Sequence, residues 1–384
     1  MNTAAGRIDW TRRHMPLLAQ MRVRFESSKP FDGMTMGFRI HLEPKTAVLM
    51  ETLLAGGASI QAIGNQGTTQ FDTVEFLTEA GATIIEKPGE TKADIEANLD
   101  TLAALRPQIV LDNGAELIVR CLDNGTPPMG ATEETTSGAF LLREQFEGRV
   151  GFPVIVINDS PLKAIVENKH AVGESTMDEI VRTTNVSLHR KRVVVFGYGW
   201  CGRGIAQYGR DRGADITVVD IDPIKALEAA MDGFNTASAD EAASLGQIFI
   251  TATGRPGVIP YERMEMMQDG AILVNVGHVD TEIDIPGLHS NTDRVEVKSS
   301  ITQHDMPSGR TLFVLADGQM ANLAVEGGRG NSIESMDLGF TLQALSLELL
   351  ATNPSSLPKG PQPVPDSINK WIATTMLEIM NGAS

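Results

Sequence analysis

A glycine-rich segment, residues 197–204, constrains the fold more than any other stretch of the sequence. It reads GYGWCGRG, follows the apolar run VVVF and precedes a helical pattern. This arrangement is typical of the turn in a dinucleotide-binding βαβ unit. Gly197 would allow the tight turn, Gly199 would let a pyrophosphate approach the backbone, and Gly202 would let the helix pack closely on the strand. The phosphates would lie at the helix N-terminus, where free N–H groups and the dipole favour an anion.

An acidic residue ends the next strand of this unit. Asp220 closes the run ITVVD, about 20 residues after the glycine turn. Its carboxylate can accept hydrogen bonds from both ribose hydroxyls, which favours NAD over NADP. The glycine motif alone is weak evidence, but here the strand, helix, second strand and acidic end are all present. The sequence therefore predicts an NAD-binding Rossmann domain. The alternative is a glycine-rich turn in a doubly wound domain that binds no nucleotide.

The rest of the chain alternates between helical and strand patterns. PKTAVLMETLLAGG has helical apolar spacing and ends on two glycines, ASIQAIGN follows as a short strand, and DTVEFLTEAGATIIEKPG repeats the plan. Such alternation implies a mainly parallel sheet with helices on its faces. A long helical stretch, SMDLGFTLQALSLELLAT, a proline-rich segment and a final helix complete the chain. A length of 384 residues indicates two domains.

The charge of the chain limits its partners. It carries 32 basic and 49 acidic residues, a net charge of −17, which argues against binding to nucleic acid or to an anionic membrane. No apolar run reaches the roughly 18 residues of a membrane span. Charged residues stand where a signal peptide needs an apolar core. With Cys121 and Cys201 as its two cysteines, the chain is expected in a reducing, cytoplasmic setting.

The stretch EETTSG, residues 133–138, has the pattern of a capped helix start. Thr135, Thr136 or Ser137 could cap the helix, with the two glutamates near its positive end. Of those two, Glu133 is expected to be the solvated neighbour of a more important Glu134.

These segments and several others, in this order, resemble the S-adenosyl-L-homocysteine hydrolase family. The segments are HMPLLAQMRVRFESSKPFDGMTMGFRIHLEPKTAVLMETL, EETTSG, FPVIVINDSPLKAIVEN, the glycine turn, DIDPIKALEAAMDGF, VNVGHVDTEID and MANLA. The resemblance implies an α/β protein in which an NAD-binding Rossmann domain is inserted into a Rossmann-like substrate domain completed by C-terminal helices. The expected boundaries are 1–168 and 328–384 for the substrate domain and 174–327 for the NAD domain.

The resemblance also implies a reaction. The family oxidises a nucleoside sugar at its 3′-hydroxyl with tightly held NAD. The new ketone acidifies the 4′ C–H bond, so a base can remove that proton and the 5′ substituent is eliminated. Water then adds, and the cofactor returns its hydride. The NAD is thus recycled within one turnover. No metal is expected.

Four residues match family positions at the oxidised end of the sugar. Lys163 matches a lysine that helps to deprotonate the 3′-hydroxyl, and Glu167 stands where the family usually has aspartate. By spacing alone, these two residues would be a surface ion pair on a helix. Asn168 matches an asparagine that contacts the cofactor or the reacting edge of the sugar. Glu134 matches a glutamate that contacts the sugar and orders the lysine.

Two histidines complete the catalytic set that the resemblance implies. His41 matches a histidine that serves as acid and base at the 5′ substituent, a task that suits a pKa near neutrality. His278 matches a histidine packed near the 3′ carbon. Alone, His41 would be as easily structural, and His278 could be a loop histidine bonded to backbone.

Further residues match cofactor contacts. Thr135, Thr136 and Ser137 match a hydroxyl triplet that reaches the NAD from the substrate domain, and Asn322 matches an asparagine that binds the nicotinamide carboxamide. A helix cap is the alternative for Asn322. Thr253 could line the cofactor's sugar or simply form a turn.

The resemblance weakens in the segments that would contact the base. Lys45 stands where the family has a glutamate that accepts from the adenine amino group, and Glu43 where it has a threonine. A lysine only donates, so ordinary adenine recognition is not expected. Arg329 replaces the histidine of a Gly-His-Pro motif, and Glu334 replaces a methionine. Arg329 and Lys45 suggest a more anionic or carbonyl-rich group than adenine, while Glu43 and Glu334 offer acceptors for donors. These four residues could equally pair with one another and present a neutral pocket.

Two other departures affect the chemistry and the assembly. Asn113 replaces an aspartate associated with the 4′ proton, and an amide cannot act as a base. The family's C-terminal tail, which ends in a lysine and tyrosines, is not matched at residues 381–384. We therefore expect less tightly held NAD and an assembly no larger than the family's tetramer, as a homodimer or homotetramer.

The sequence thus predicts an enzyme that applies the family's oxidise–eliminate–reduce chemistry to a nucleoside other than S-adenosylhomocysteine, by hydrolysis or dehydration. Relatives in nucleoside-antibiotic pathways use such chemistry to modify a sugar. One alternative is an ordinary S-adenosylhomocysteine hydrolase. The other is a non-catalytic NAD-binding regulator.

Overall fold

The alternating sequence pattern folds into two parallel-sheet units, which confirms the predicted α/β class with two domains. The computed structural model describes residues 4–65 and 67–382. One unit contains the described residues up to Ala164 and those from Ile333 onwards, and the other is Ile165–Ser332. Part of the expectation about the C-terminal tail rests on residues 383–384, which lie outside the described residues.

The first unit is built on a sheet whose strands are all parallel over the described residues. They are β1 (Thr35–Arg39), β2 (Ser59–Ile63), β3 (Thr83–Ile84), β4 (Ile109–Asp112), β5 (Gly130–Glu133), β6 (Pro153–Val156) and β15 (Gly360–Pro363). Their order is β15-β6-β5-β4-β1-β2-β3. The central strands β4, β5 and β6 are buried along their whole length, as expected when helices cover both faces.

Strand β15 lies in the proline-rich segment, where the sequence predicted only a break. It pairs in parallel with β6 at the edge of the sheet, with Gly360 opposite Pro153. Because proline has no N–H to donate, such a strand is tolerated at an edge and not in the interior of a sheet.

The helices of the first unit pack on this sheet and on one another. They are α1 (Ala4–Arg13), α2 (Pro16–Ser28), α3 (Pro44–Ala55), α4 (Phe71–Glu79), α5 (Lys92–Ala104), α6 (Glu116–Asp123), α7 (Thr136–Glu144), α15 (Ile333–Thr352) and α16 (Asp366–Met380). Helix α15 is buried on nearly all sides from Asp337 to Leu347. Its Asp337 carboxylate accepts hydrogen bonds from the first amides of α2, those of Leu17 and Leu18, at 2.8 and 2.9 Å.

The second unit contains a longer sheet with a mixed edge. Its strands, over the described residues, are β7 (Arg192–Phe196), β8 (Asp215–Val219), β9 (Asn235–Thr236), β10 (Ile248–Thr251), β11 (Ala271–Asn275), β12 (Asp293–Lys298), β13 (Ile301–Asp305) and β14 (Thr311–Leu315). The order is β12-β13-β14-β11-β10-β7-β8-β9. Strands β12, β13 and β14 are antiparallel neighbours, a hairpin extension that the parallel pattern did not predict.

Short helices connect the strands of the second unit. They are α8 (Val172–Thr184), α9 (Trp200–Asp211), α10 (Pro223–Met231), α11 (Ala239–Leu245), α12 (Tyr261–Met264), α13 (Ile285–Asn291) and α14 (Ala321–Ala324). Glycines let two of these elements touch through their backbones. A Cβ atom on Gly204 of α9 would lie 1.7 Å from the carbonyl oxygen of Lys169, and one on Gly173 of α8 would lie 2.6 Å from the Gly204 backbone.

The helix predicted around Lys163 and Glu167 is a π-helix, Lys163–Ala171, which continues directly into α8. π-Helical turns are rare and often occur at functional sites. Both side chains are buried, Lys163 at 6% exposure and Glu167 at 2%. The interpretation of this pair as a surface ion pair is therefore wrong.

Candidate functional site

The glycine turn of the second unit has the geometry that its sequence predicts. Gly197 follows β7 with a φ of +95°, which favours glycine, and Gly199 is the N-cap of α9. A Cβ atom on Gly202 would lie 1.9 Å from the Gly197 carbonyl oxygen. At Gly199, by contrast, a Cβ atom would have no heavy atom of the described residues within 4 Å. The turn is thus closely packed beneath Gly202 and open at Gly199, as an approaching pyrophosphate requires.

Asp220 lies directly after β8, beside this turn. One carboxylate oxygen accepts from the backbone N–H of Tyr198 at 2.7 Å, and the other accepts from that of Asp222 at 2.9 Å. Each oxygen of a carboxylate can accept two hydrogen bonds. The side chain therefore has acceptor capacity left for hydroxyl groups while the backbone fixes its orientation.

Asn322, in α14, offers a buried amide that is only partly satisfied. Its side chain is 5% exposed, and Nδ2 donates to the Ser175 hydroxyl at 3.3 Å. Within the described part of the chain, Oδ1 has no hydrogen-bond partner. A buried acceptor without a donor is costly, so this position suits a ligand that brings an N–H group. A nicotinamide carboxamide is such a ligand, and the open turn, Asp220 and Asn322 together fit NAD.

Two buried side chains that the sequence analysis did not single out hold the neighbouring loops. The Glu282 carboxylate accepts from the N–H and hydroxyl of Thr253 at 3.0 and 2.8 Å, and from the N–H of Gly254 at 2.8 Å. Burial raises the pKa of Glu282. Asn275 donates to the carbonyl oxygens of Gly277 and Val279, on either side of His278. The hydrogen of the Thr253 hydroxyl is thus engaged in the loop's own hydrogen bond to Glu282.

His278 itself lies just after β11 at the carboxyl edge of the sheet and is exposed. Its backbone is fixed by Asn275, which also accepts from the N–H of Gly277 at 2.9 Å. Arg329 lies in the same unit and is exposed as well.

In the first unit, a buried carboxylate organises the candidate lysine. Glu134 follows β5 and is 5% exposed. It accepts hydrogen bonds from the Lys163 ammonium and from the side-chain amide of Gln343, on α15. The sequence analysis did not find Gln343, because 209 residues separate it from Glu134.

Glu133, expected to be solvated, is fully buried, so that expectation is wrong. It sits at the end of β5, opposite Asp112 at the end of β4, and its carboxylate accepts from backbone groups on both sides. Burial, followed by the charge of Asp112, raises the pKa of Glu133 to about 8.

The helix start predicted in this stretch is confirmed, with Thr135 as the N-cap of α7. The Thr135 hydroxyl accepts from the N–H of Gly138 at 2.9 Å and donates to Glu133 at 2.7 Å. Ser137 lies 3.1 Å from the same hydroxyl, and Thr136 is exposed.

A chain of hydrogen bonds joins His41 to Asn113. Nδ1 of His41 lies 2.7 Å from the Thr68 hydroxyl, which donates to the Asn65 carbonyl oxygen. Since that hydroxyl hydrogen is used, Nδ1 carries the proton and Nε2 is the unprotonated, accepting nitrogen. Nδ2 of Asn65 lies 3.4 Å from Nε2 and donates to Oδ1 of Asn113 at 2.9 Å. Asn65, which the sequence analysis missed, therefore links the two residues.

Of the four residues predicted to contact the base, two form an ion pair with each other. Lys45 and Glu43, at the start of α3, form an ion pair of 2.9 Å, and Lys45 is 5% exposed. They present a donor beside an acceptor. Glu334 is exposed in the first turn of α15.

Two family models match this chain. The model described as S-adenosyl-L-homocysteine hydrolase matches residues 2–127, and the model for the NAD binding domain of that enzyme matches residues 168–328. The chain belongs to the S-adenosyl-L-homocysteine hydrolase family. This confirms the resemblance found in the sequence, and the matched NAD-binding domain confirms NAD as the cofactor of this family member.

Curated relatives of this family member carry two different names. It is 43% identical to S-inosyl-L-homocysteine hydrolase of Methanopyrus kandleri over 97% of this chain and 89% of the relative. It is 41% identical to adenosylhomocysteinase of Thermococcus kodakarensis, over 97% and 90% of the two chains. A third relative, S-inosyl-L-homocysteine hydrolase of Methanocaldococcus jannaschii, is 39% identical over 97% and 91%. The relatives are hydrolases, so an enzyme is supported over a non-catalytic regulator.

Among the described residues, no helix combines the length and apolar character that a membrane span needs. The same residues contain no group of His, Cys, Asp and Glu side chains that could hold a metal ion.

Proposed function

We propose that this protein hydrolyses S-inosyl-L-homocysteine, a thioether of a nucleoside whose base carries a carbonyl group at position 6. The observation that supports this substrate is the ion pair between the buried Lys45 and the half-buried Glu43. The substrate named for two of the relatives agrees with it.

The argument rests on the hydrogen-bonding edge of the base. Adenine presents an amino group at position 6 and an acceptor at N1, whereas hypoxanthine presents a carbonyl oxygen at position 6 and an N–H donor at N1. By the family resemblance, the side chain of residue 45 faces the group at position 6 of the base. An ammonium group only donates, so Lys45 suits the carbonyl oxygen. Glu43, 2.9 Å away, can accept from N1–H.

The same chemistry at the sugar is proposed for the retained residues. Bound NAD supplies the hydride acceptor and returns the hydride. Lys163, held by the buried Glu134, takes the proton of the 3′-hydroxyl when it is in its neutral amine form. Glu167 keeps the carboxylate at its family position, one methylene longer than the aspartate of the family. Asn322 binds the carboxamide, and Asp220 binds the ribose hydroxyls.

His41 is proposed to handle both the 4′ and the 5′ steps. Asn113 cannot accept a proton, but through Asn65 it is linked to Nε2, the unprotonated ring nitrogen of His41. Nε2 removes the 4′ proton, the C5′–S bond breaks, and the same proton passes to the leaving homocysteine sulfur. Water then adds to C5′ in the reverse sense. An imidazole can both take up and release a proton, so one histidine suits both directions.

The experiment compares release of homocysteine from S-inosyl- and S-adenosylhomocysteine by a thiol assay. We expect kcat/KM to be larger for the inosyl compound. The double variant Glu43→Thr, Lys45→Glu should lower its kcat/KM by roughly 10- to 100-fold, since a hydrogen bond to a charged group contributes about 1.5–3 kcal/mol. The same variant should improve use of the adenosyl compound. Lys359→Gln, at an exposed lysine of the same unit, makes the net charge more negative by one, as the double variant does, and controls for the change in charge.

The second candidate is ordinary hydrolysis of S-adenosyl-L-homocysteine, which the name of the Thermococcus relative favours. Preference of the unaltered protein for the adenosyl compound would establish it and would refute the assignment of Lys45.

A further inference from the structure

The carboxylate of Glu133 accepts four hydrogen bonds from two separate turns. Its Oε1 accepts from the N–H of Gly114 at 3.0 Å and from the N–H and hydroxyl of Thr135, both at 2.7 Å. Its Oε2 accepts from the N–H of Ala115 at 2.8 Å. The first turn joins β4 to α6, and the second joins β5 to α7. One buried side chain therefore ties together the loops at the carboxyl ends of two neighbouring strands.

The first of these turns has an unfavourable backbone. Gly114 has a φ of +113°, and Ala115, which carries a side chain, has a φ of +63°. Residues in this region persist when the surrounding structure determines their conformation. Here the N–H groups of both residues donate to Glu133, so the carboxylate favours the turn over more relaxed conformations.

The second turn is shaped to admit the carboxylate. A Cβ atom on Gly138 would lie 2.3 Å from Oε1 of Glu133, so any side chain at position 138 would displace it. The hydroxyl of Thr135, which donates to Glu133, in turn caps α7 by accepting from Gly138.

Two residues of the proposed reaction are direct sequence neighbours of these turns. Asn113 stands just before Gly114 and accepts from Asn65, the residue that contacts His41. Glu134 stands between Glu133 and Thr135 and accepts from Lys163. Glu133 fixes the backbone from which the partners of His41 and Lys163 extend.

We propose that Glu133 is a positioning residue, which sets the distance between the His41–Asn65–Asn113 chain and the Glu134–Lys163 pair. This role rests on the proposed function of those groups. A glutamine cannot replace the carboxylate, because its NH2 group would face the N–H of Ala115 if it took the place of Oε2, and three donors if it took the place of Oε1. Misplacement of reacting groups by about 1 Å can lower a rate roughly 100-fold.

The test compares Glu133→Gln with Asp337→Asn. Asp337 is also a fully buried carboxylate of the first unit that accepts from two backbone amides, but it holds the start of α2. In the cofactor-free protein, hydrogen–deuterium exchange should accelerate at least 10-fold in segments 113–118 and 134–138 of Glu133→Gln only. With whichever S-nucleosylhomocysteine the unaltered protein uses, its kcat should fall roughly 10- to 100-fold, with KM changed less than about threefold.

Two further measurements separate positioning from loss of folded protein. Adding Asn113→Ala to Glu133→Gln should lower kcat by less than the product of the separate effects, because both changes act on one turn. Gly138→Ala, which displaces the carboxylate without removing it, should reproduce the loss of kcat, and it serves as the test if Glu133→Gln does not fold.

The proposal is overturned if folded Glu133→Gln keeps its kcat within about twofold, or if Asp337→Asn loses as much kcat at equal thermal stability. Failure of the unaltered protein to use S-inosylhomocysteine would refute only the substrate assignment, since the exchange measurement does not involve a substrate.

Discussion

His304 allows a prediction about stability that can be worked through from its contacts. It lies on β13 and is fully buried. Its Nδ1 is 2.9 Å from the Thr292 hydroxyl, which donates to the Leu288 carbonyl oxygen at 2.6 Å. Nδ1 must therefore donate, and Nε2 is the unprotonated nitrogen. Nε2 has no partner within the described residues, so a proton added there would be buried without an acceptor.

The charged surroundings of His304 do not compensate for this burial. The ring of His289 stacks on it at 5.5 Å, with Arg294 bonded to that ring, while Asp317 and Asp305 partly offset their effect. Burial first, and then the charge of His289, lower the pKa of His304 from 6.5 to about 4.

The folded protein thus binds fewer protons at His304 than the unfolded chain between pH 6.5 and 4. Stability that is present above pH 6.5 is lost as the pH falls towards 4. At about 1.36 kcal/mol for each pH unit, the loss is on the order of 3 kcal/mol. Asp112 and Glu133, whose pKa values burial raises to about 7 and about 8, act in the opposite sense over this range. The contribution of His304 must therefore be measured as a difference between variants.

The assay is urea denaturation at pH 7 and pH 4.5 of the unaltered protein and of His304→Asn, whose amide can still donate to Thr292 but cannot titrate. Trp200 is the tryptophan of the unit Ile165–Ser332, so its fluorescence in a background with Trp10 and Trp371 changed to phenylalanine reports that unit. His304→Asn should lose about 2–3 kcal/mol less on acidification. His189→Asn, at an exposed histidine, controls for removal of an imidazole. Equal losses in all three proteins would refute the reasoning.

The cofactor contacts give two further predictions. Asn322→Leu should weaken NAD binding to the cofactor-free protein by roughly tenfold, since a neutral hydrogen bond contributes about 1 kcal/mol. It should leave the unfolding free energy nearly unchanged, because an unsatisfied acceptor is removed. Titration calorimetry measures the affinity and urea denaturation the stability, and an unchanged NAD affinity would contradict the assignment. Gly202→Ala should destabilise the protein by about 1–3 kcal/mol, because the methyl group would overlap the Gly197 carbonyl oxygen. Gly199→Ala should keep its stability but bind NAD weakly, so similar stabilities for these two variants would argue against the packing described for the turn.

The parts of the fold that the sequence predicts are those whose signals are local. The glycine turn, its flanking strands and the acidic residue Asp220 lie within one βαβ unit, where each position has its own steric or electrostatic reason. The helix cap at Thr135 is equally local. The family relationship and the NAD domain were likewise predicted from ordered motifs and are confirmed.

The parts that it does not predict depend on contacts between distant segments. Glu133 was expected to be a solvated neighbour of Glu134, whereas two of its four donors come from a turn 18–19 residues away. Gln343 and Asn65 have no motif of their own and become recognisable only beside Glu134 and His41. Strand β15 is hidden by its prolines, since pairing at an edge leaves no signature in propensity.

The order in which the chain is synthesised gives the Glu134 contact with Gln343 a further consequence. Strands β1 to β6 of the first unit's sheet are all synthesised before the inserted unit Ile165–Ser332. The segment that follows the insertion supplies Gln343 to Glu134, Asp337 to the start of α2, and β15 to the exposed side of β6. Until that segment emerges, β6 is an open edge and Glu134 lacks one of its two donors. The sheet of the first unit can therefore be completed only after the inserted unit has been synthesised.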